Sequence, residues 1–363
     1  MRNKRIIFSG GGTGGHIYPA ISIANELLLN DKNLEILFIG ANNKMEMKIV
    51  PEHGFDILGL WITGYDRKNF LKNLLLPFKI LVSFFQSILI IKNFKPQLVI
   101  GTGGYASGPI LYVANLLKTP SLIQEQNSYP GITNRILSKK VNKICVSYEN
   151  LDRFFPKEKI IKTGNPVRQN ILKCNDSFEE AINYFKLDSN KKIMLVIGGS
   201  LGSKEINKAI YSIKDYFKFI NLQVIWQCGR LYYDYYNKKI KEDYIRLYDY
   251  IENIDYAYSA CDFIISRAGA SSVSELSIVG KPVIFIPSPN VAENHQLKNA
   301  KEIIRHDAAI LVKENEINIL KSKINDLNSS SQLRNKLSRN IKRLSEPNAT
   351  KKIVNEINKL LVQ

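Results

Sequence analysis

Short apolar runs alternate with helical patterns along the first half of the chain. Five of these runs predict buried strands, at residues 5–9, 34–39, 97–100, 120–124 and 143–147. Between them, apolar positions recur at intervals of three and four residues, which is the spacing of amphipathic helices. Strands that alternate with helices predict an α/β fold, with a parallel sheet covered by helices on both faces.

The same alternation begins again in the second half. Its predicted strands lie at residues 191–197, 222–227, 262–266, 282–286 and 308–312, and a helical, basic segment follows from about residue 330. Two alternations in a chain of 363 residues predict two Rossmann-like domains. We expect one domain over residues 1–164 and a second over 165–340. We expect the C-terminal helix, 341–363, to pack back toward the first domain.

Each alternation opens with a glycine-rich turn between a strand and a helix. Gly10–Gly15 forms the first turn and Gly198–Gly202 the second. Such turns let backbone N–H groups approach an anion closely. His16 stands at the mouth of the first turn, where a simple phosphate loop needs no titratable side chain. A dinucleotide site would also need an acidic residue at the end of the next strand, and neither half has one, which disfavours nicotinamide or flavin binding.

Three further polar segments follow predicted strands. Gly101–Pro109 would share a sheet edge with the first turn, as a second phosphate loop or as a tight packing turn. Glu125–Asn127 suits recognition of hydroxyl or amide groups, although Glu125 could instead cap a neighbouring helix. In Ser266–Glu275, small residues lead into a helix that carries Glu275. That carboxylate could accept from two ribose hydroxyls, or could simply favour the helix N-terminus.

Charge and cysteine usage narrow the classes of partner. The net charge is +18, which suits nucleic acid, an anionic membrane surface or anionic substrates. Because the basic residues are spread out, with no arginine-rich arm or zinc-finger spacing, nucleic acid is the weakest of these. The four cysteines form no CxxC motif and are typical of a reduced cytosolic protein. We expect no signal peptide before the first strand.

Residues 71–94 form the most apolar stretch of the chain. A membrane-spanning helix needs about 20 predominantly apolar residues. Polar or helix-breaking residues interrupt this stretch at Pro77, Lys79 and Gln86. It reads either as a buried helix of the first domain or as a helix lying on a membrane surface. The expected membrane contacts are Lys72, Leu75, Phe78 and Lys79.

Six ordered motifs resemble those of the MurG family of bacterial cell-wall enzymes, within glycosyltransferase family 28. They are Gly11–Ala20, Gly101–Pro109, Glu125–Asn127, Gly164–Arg168, Gly198–Gly202 and Ser266–Glu275. The resemblance extends from residue 5 to about residue 300. It implies a GT-B fold, in which two Rossmann-like domains with parallel sheets face each other across a cleft. It also implies inverting transfer of N-acetylglucosamine from UDP-GlcNAc to the C4 hydroxyl of undecaprenyl-diphospho-MurNAc-pentapeptide, the step from lipid I to lipid II in peptidoglycan synthesis.

The resemblance also implies roles for individual residues. It implies donor contacts at Thr13, Gly14, Gly15, Asn127, Arg168, Ser200, Ile251, Ala270, Ser271, Ser272, Val273, Ser274, Glu275 and Gln296. Within that set, Glu275 would hold the ribose, and Arg168 and Ser200 the diphosphate. The acceptor contacts are Gly103, Gly104 and Tyr105. His16 is the candidate base, since imidazole titrates near neutral pH, or it positions the substrate.

This sequence departs from the family pattern at two positions. Tyr250 stands where Phe is common, beside the expected uracil site at Ile251, and His295 stands where Gln is common.

The expected enzyme binds no cofactor and works at a membrane. The chain has no Asp-x-Asp motif, so we expect no protein-bound catalytic metal. An anionic lipid acceptor predicts peripheral binding on the cytoplasmic face of the inner membrane. The alternatives are another GT-B lipid glycosyltransferase, such as a diacylglycerol glycosyltransferase, a UDP-sugar 2-epimerase, and a non-enzymatic nucleotide-binding module. An epimerase needs no lipid acceptor, and a binding module leaves His16 without a purpose.

Overall fold

Two α/β units make up the protein. A computed structural model describes residues 4–65, 73–199 and 201–362. The first unit contains the chain up to Val167 together with the residues from Asn348 onward, and the second is Arg168–Pro347. The second unit is therefore inserted, in chain order, between two parts of the first.

A parallel sheet forms the centre of the first unit. Its described strands are β1 (Arg5–Gly10), β2 (Glu35–Ala41), β3 (Asp56–Leu60), β4 (Leu98–Gly103), β5 (Ser121–Glu125), β6 (Lys143–Val146) and β7 (Ile160–Lys162). They lie in the order β3-β2-β1-β4-β5-β6-β7. The order reverses between β1 and β4, so the loops that follow these two strands meet at one edge. In open α/β sheets such a switch point is where ligands bind.

A second parallel sheet forms the centre of the second unit. Its described strands are β8 (Lys192–Ile197), β9 (Leu222–Gln227), β10 (Ile245–Tyr248), β11 (Phe263–Ser266), β12 (Val283–Phe285) and β13 (Ile310–Leu311). Their order, β10-β9-β8-β11-β12-β13, reverses between β8 and β11. The predicted strands of both halves are confirmed, while β3, β7 and β10 were not predicted.

Helices connect the strands in both units. The described α-helices are α1 (Gly14–Asn30), α2 (Glu46–Glu52), α3 (Leu76–Phe94), α4 (Ser107–Leu116), α5 (Ile132–Leu137), α6 (Phe178–Phe185), α7 (Lys204–Ser212), α8 (Lys214–Phe219), α9 (Arg230–Asn237), α10 (Ile254–Ala260), α11 (Ala270–Val279), α12 (His295–Ile304), α13 (Leu320–Ser329), α14 (Ser331–Arg343) and α15 (Ala349–Val362). Short 3-10 helices cover Lys157–Lys159, Gln169–Asp176, Ala292–Asn294 and Glu314–Ile319.

Alternate residues of β1 supply the two faces of the first core. Ile6 and Phe8 pack on one side and Ile7 on the other, because successive side chains of a strand point in opposite directions. The side that contains Phe8 is completed by α15, whose Ile353 and Ile357 are fully buried. The last described helix therefore contributes to the same core as the first strand.

Candidate active site

The loops that follow β1 and β4 pack directly against each other. The Gly11 N–H donates to the Gly103 carbonyl at 3.3 Å. Gly104 has a φ of +87°, and a Cβ there would lie 2.3 Å from the Gly11 oxygen. Only glycine therefore allows the second loop to approach the first this closely. The two predicted glycine loops form one continuous surface at the switch point.

His16 lies where these two loops meet. Its Nδ1 is 3.0 Å from the Gly11 carbonyl oxygen. Because a carbonyl only accepts, Nδ1 carries the ring proton and Nε2 is the basic nitrogen of the neutral imidazole. A Cβ on Gly103 would lie 3.1 Å from Nε2, so this glycine keeps the second loop clear of the ring. The imidazole is thus fixed in the tautomer that a general base at Nε2 requires.

The N-terminus of α1 is open beside His16. Thr13, the N-cap residue, is extended and makes no capping hydrogen bond with its side chain. Its carbonyl accepts from the N–H groups of His16 and Ile17. The first N–H groups of a helix have no partner within it and carry partial positive charge, so Thr13, Gly14 and Gly15 lie at a position suited to an anion.

Tyr105 packs against the first glycine turn. A Cβ on Gly12 would lie 3.2 Å from its ring. Burial, and secondly the nearby charge of Glu46, raise the pKa of the Tyr105 hydroxyl, so the group remains a hydrogen-bond donor at neutral pH. Gly103, Gly104 and Tyr105, predicted for the acceptor, therefore lie beside His16.

Glu125 orders the loop that carries Asn127. This buried carboxylate accepts from the Asn127 N–H at 2.9 Å, the Gly131 N–H at 3.1 Å and the Asn134 amide at 2.8 Å. Gly131 is the N-cap residue of α5, so the capping alternative considered for Glu125 describes its role better than direct recognition does. Asn127 is only partly buried, and its backbone N–H is held by Glu125.

In the second unit, α11 begins without a side-chain cap. Gly269 precedes its first turn and makes no capping hydrogen bond through a side chain. Val273 is buried against the core, while Ser271 and Ser272 stay partly accessible. The backbone N–H groups at the start of this ten-residue helix are thus suited to bind a phosphate.

Glu275 forms a bidentate ion pair with Arg168. Nε and Nη2 of Arg168 each lie 2.9 Å from a different oxygen of Glu275. Burial lowers the pKa of the guanidinium, but the hydrogen bonds and charge of Glu275 outweigh it, and the net effect raises that pKa. The residue expected at the diphosphate therefore contacts the one expected at the ribose. Donor binding at both groups has to share or rearrange this pair.

Two glutamines arrange the remaining loops that were predicted to contact the donor. Gln227 accepts from the Ile251 N–H at 2.9 Å and donates to the Gly199 carbonyl at 3.1 Å. Gln296 accepts from the Ser288 N–H at 2.9 Å. The Ile251 N–H is therefore already occupied, although that residue was expected to present backbone groups to uracil.

Of the other predicted residues, Ser274 donates its hydroxyl to the Ala270 carbonyl within α11. Tyr250, beside the expected uracil site, is partly exposed, and Arg230 lies over its ring. Ser200 and Lys72 lie outside the described residues.

Arg267 was part of a predicted motif but received no role. Its guanidinium donates to the Ile286 carbonyl at 2.9 Å, to the Ser203 hydroxyl and to Glu314. It thereby joins the loops that follow β11, β12 and β13 to the start of α7. The one available signal was a charged residue directly after a buried strand.

The outward face of α3 is apolar. Its inward face carries Ser83 and Ser87, which are fully buried, whereas Phe78 and Phe85 are more than half exposed. In the described part of the chain, this helix alone has the length and composition to cross a membrane. Trp61, partly exposed, packs edge-on against Phe78, with Lys79 over its ring. The exposed apolar residues form an α3 patch, made of Trp61, Leu74, Leu75, Phe78, Leu81, Phe85 and Leu89.

No cluster of three or more His, Cys, Asp or Glu side chains suited to a metal ion occurs among residues 4–65, 73–199 and 201–362.

The chain matches two domain families along most of its length. The glycosyltransferase family 28 N-terminal domain matches residues 6–146, and the C-terminal domain of the same family matches residues 193–353. The chain belongs to glycosyltransferase family 28. The predicted family and the GT-B fold, with two Rossmann-like domains, are both confirmed.

Full-length relatives of this family 28 protein carry a specific name. It is 54% identical over 366 residues to a Flavobacterium psychrophilum protein, with 99% of each chain covered. It is 52% identical to one from Christiangramia forsetii, with 98% of each covered. Both are named UDP-N-acetylglucosamine–N-acetylmuramyl-(pentapeptide) pyrophosphoryl-undecaprenol N-acetylglucosamine transferase. The crystal structure of MurG from Acinetobacter baumannii superposes with a TM-score of 0.80 at 27% identity, covering 98% of this chain and 99% of that one.

Proposed function

We propose that this protein transfers N-acetylglucosamine from UDP-GlcNAc to the C4 hydroxyl of undecaprenyl-diphospho-MurNAc-pentapeptide. The observation that carries the proposal is the 54% identity, over 99% of both chains, to an enzyme with that name. One observation within each unit supports it further. The first unit presents a histidine with a basic nitrogen, and the second presents an open helix N-terminus beside a carboxylate.

The reaction is a direct displacement with inversion at the sugar. The acceptor C4 oxygen attacks C1 of N-acetylglucosamine while its proton passes to Nε2 of His16. The bond between C1 and the diphosphate oxygen breaks, and UDP leaves with that electron pair. N–H groups at the start of α11 stabilise the charge that develops on the departing diphosphate. No step requires a metal ion or a cofactor.

The proposed binding sites follow the predicted residues. The donor would contact Thr13, Gly14, Gly15 and Asn127 of the first unit, and Arg168, Ser200, Ile251, Ala270, Ser271, Ser272, Val273, Ser274, Glu275 and Gln296 of the second. The acceptor would contact Gly103, Gly104 and Tyr105. Glu275 suits the ribose, because a carboxylate accepts from two neighbouring hydroxyls.

We also propose peripheral attachment to the cytoplasmic face of the inner membrane. The α3 patch would enter the interface between lipid headgroups and chains, where Trp61 is well suited to lie. Lysines beside the patch, including Lys79, would each add about 1 kcal/mol on an anionic surface. The net charge of +18 is consistent with such a surface, and we propose no nucleic-acid partner.

UDP release tests the reaction. Purified protein with UDP-GlcNAc should release UDP only when a lipid-linked MurNAc-pentapeptide is added, and the lipid should gain one N-acetylglucosamine by mass. Diacylglycerol should not replace that acceptor. Formation of the donor's 2-epimer, release without acceptor, or binding without any release would each contradict the proposal in favour of one alternative.

Tryptophan fluorescence tests the membrane contact. The chain has two tryptophans, Trp61 in the α3 patch and the fully buried Trp226. Vesicles rich in anionic lipid should shift the emission to shorter wavelength in the parent, and Trp61→Phe should abolish the shift without abolishing binding. The double variant Phe78→Asp with Lys79→Glu should no longer float with vesicles. Undiminished flotation would show that another surface binds the membrane.

A further inference from the structure

Glu46 is a fully buried carboxylate beneath the first glycine turn. It is the first residue of α2. One oxygen accepts from the Gly12 N–H at 3.1 Å and the other from the Ala41 N–H at 3.0 Å. The space around it is fully used, since a Cβ on Gly11 would lie 2.3 Å from Oε1. The glycine turn is therefore built around this side chain, for which the function described above has no use.

Glu46 and His16 bind opposite ends of the same peptide group. The Gly12 N–H, which donates to Glu46, and the Gly11 carbonyl, which accepts from Nδ1 of His16, belong to one planar unit. In a trans peptide these two groups point in opposite directions. The carboxylate and the imidazole are thus joined by two hydrogen bonds through a single amide.

We propose that Glu46 is a positioning residue for His16 and acts through the Gly11–Gly12 peptide group. Hydrogen bonds in such a chain polarise one another. A negative charge at the N–H end makes the Gly11 carbonyl a stronger acceptor, which holds the Nδ1–H tautomer and stabilises the imidazolium that forms when Nε2 takes a proton. Carboxylates that hydrogen-bond directly to histidine act in this way in metal sites and hydrolases.

The proton itself does not travel along this chain. It stays on His16 and later leaves to solvent, while the amide keeps its own N–H. From the loop after β4, Tyr105 is the titratable group that faces Glu46. The arrangement also means that an anion at the Gly12 N–H would have to displace a carboxylate, so this part of the turn serves the histidine. The proposal rests on the proposed role of His16 as base.

The first test is Glu46→Gln, which keeps the shape of the side chain but removes its charge. One of the two backbone N–H groups that Glu46 accepts from would then face an amide NH₂ and lose its acceptor. We expect kcat to fall about tenfold, as is usual for residues that orient a functional histidine, with the KM for UDP-GlcNAc unchanged within about twofold. The low-pH limb of the kcat profile should move toward acid. Glu46→Asp, which keeps the charge, should recover part of the loss. Glu26→Gln, at a buried carboxylate of α1, is the matched control and should behave as the parent.

A double-mutant cycle separates this proposal from the proposed function. In a His16→Ala background, Glu46→Gln should cause no further loss of kcat. Equal losses of kcat in both backgrounds would overturn the role of Glu46 but would not contradict His16 as the base. Parental turnover in the single variant His16→Ala would show that His16 is not the base.

A measurement on the unmodified protein covers the case in which Glu46→Gln does not fold. Nitrogen-15 NMR of the imidazole should show neutral His16 protonated at Nδ1, and the Gly12 amide proton should resonate downfield, as expected for a bond to a carboxylate. A ring protonated at Nε2 would overturn the proposal.

Discussion

Each glycine turn leads from a central strand of its sheet to a helix, but different groups contact the two turns. In the first unit, Glu46 binds the Gly12 N–H and the Gly11 carbonyl holds His16. In the second unit, Gln227 binds the Gly199 carbonyl, and Ser203 caps the helix that follows. An open helix N-terminus next to Glu275 is found instead at α11, which follows β11.

This difference shows that a glycine turn specifies a location but not a ligand. Side chains brought in by other elements decide whether its N–H groups remain available to an anion. Under the proposed function, the first unit would use its turn to hold the base. The second would bind the diphosphate one strand away, beside Glu275.

Removal of the imidazole should separate the roles of the two units most clearly. His16→Ala should lower kcat about a thousandfold, because general-base catalysis is lost, while the KM for UDP-GlcNAc changes little. Acceptor-dependent UDP release measures both constants. His53→Ala, an exposed histidine of the same unit, is the control and should be neutral. A large rise in KM instead of a fall in kcat would assign His16 to donor binding.

Loss of Arg267 should destabilise the second unit alone. Arg267→Ala leaves the largely buried Glu314 unpaired and removes the hydrogen bonds that join three loops. We therefore expect the free energy of unfolding to fall by about 3 kcal/mol. Urea unfolding followed by Trp226 fluorescence, in a Trp61→Phe background, reports on this unit. Arg230→Ala, at an exposed ion pair, should cost less than about 0.5 kcal/mol. Equal costs for both variants would contradict a bridging role for Arg267.

Neutralising Glu275 should weaken binding of the donor and leave general-base catalysis by His16 largely unchanged. Glu275→Gln should raise the KM for UDP-GlcNAc roughly tenfold, since a hydrogen bond to a charged group contributes about 1.5–3 kcal/mol, and change kcat less. The donor with a 2′-deoxyribose should lose less affinity in this variant than in the parent. Glu205→Gln, on the exposed face of α7, serves as control. Unchanged discrimination against the deoxy donor would place the ribose elsewhere.

The smallest expected effect is a loss of stability of the second unit at alkaline pH, caused by a buried thiol next to its glycine turn. Burial raises the pKa of the Cys228 thiol from 9.0 to about 12. The unfolded chain therefore loses this proton first, so its contribution to stability is complete below pH 9 and is lost as pH rises toward 12. The Cys228 thiol alone should lower the free energy of unfolding of the second unit by up to about 1.4 kcal/mol per pH unit in that range. Cys228→Ala should flatten the slope, and an unchanged slope would assign it to other groups.

Central strands could be predicted from the sequence because both of their faces are buried. β8 contains five consecutive apolar residues from Ile193 to Ile197, and the middle of β9, Val224–Trp226, is also apolar. β3 instead alternates exposed and partly buried residues at a sheet edge, and β7 contains only three residues, so neither shows a continuous run. Apolar runs therefore predict the central strands of each sheet. They miss edge strands, which are short or only partly buried.

In the candidate site, single residues could be predicted from their neighbours in sequence, but contacts between residues far apart in sequence could not. His16 and Glu275 could be proposed because each follows a recognisable strand end. The pairings could not be predicted, since Glu46 lies 34 residues from Gly12 and Arg168 lies 107 residues from Glu275. Glu46 sits in a short helix whose sequence contains no glycine or strand signal. Only the folded backbone brings such pairs together.

The position of α15 has a consequence for synthesis on the ribosome. The second unit is continuous from Arg168 to Pro347, so all of its residues have been synthesised before Asn348 is added. The first unit was begun earlier, yet the side of its core that holds Phe8 lacks Ile353 and Ile357 until then. We expect the first unit, although it is begun earlier, to keep this apolar surface uncovered until the end of the chain leaves the ribosome.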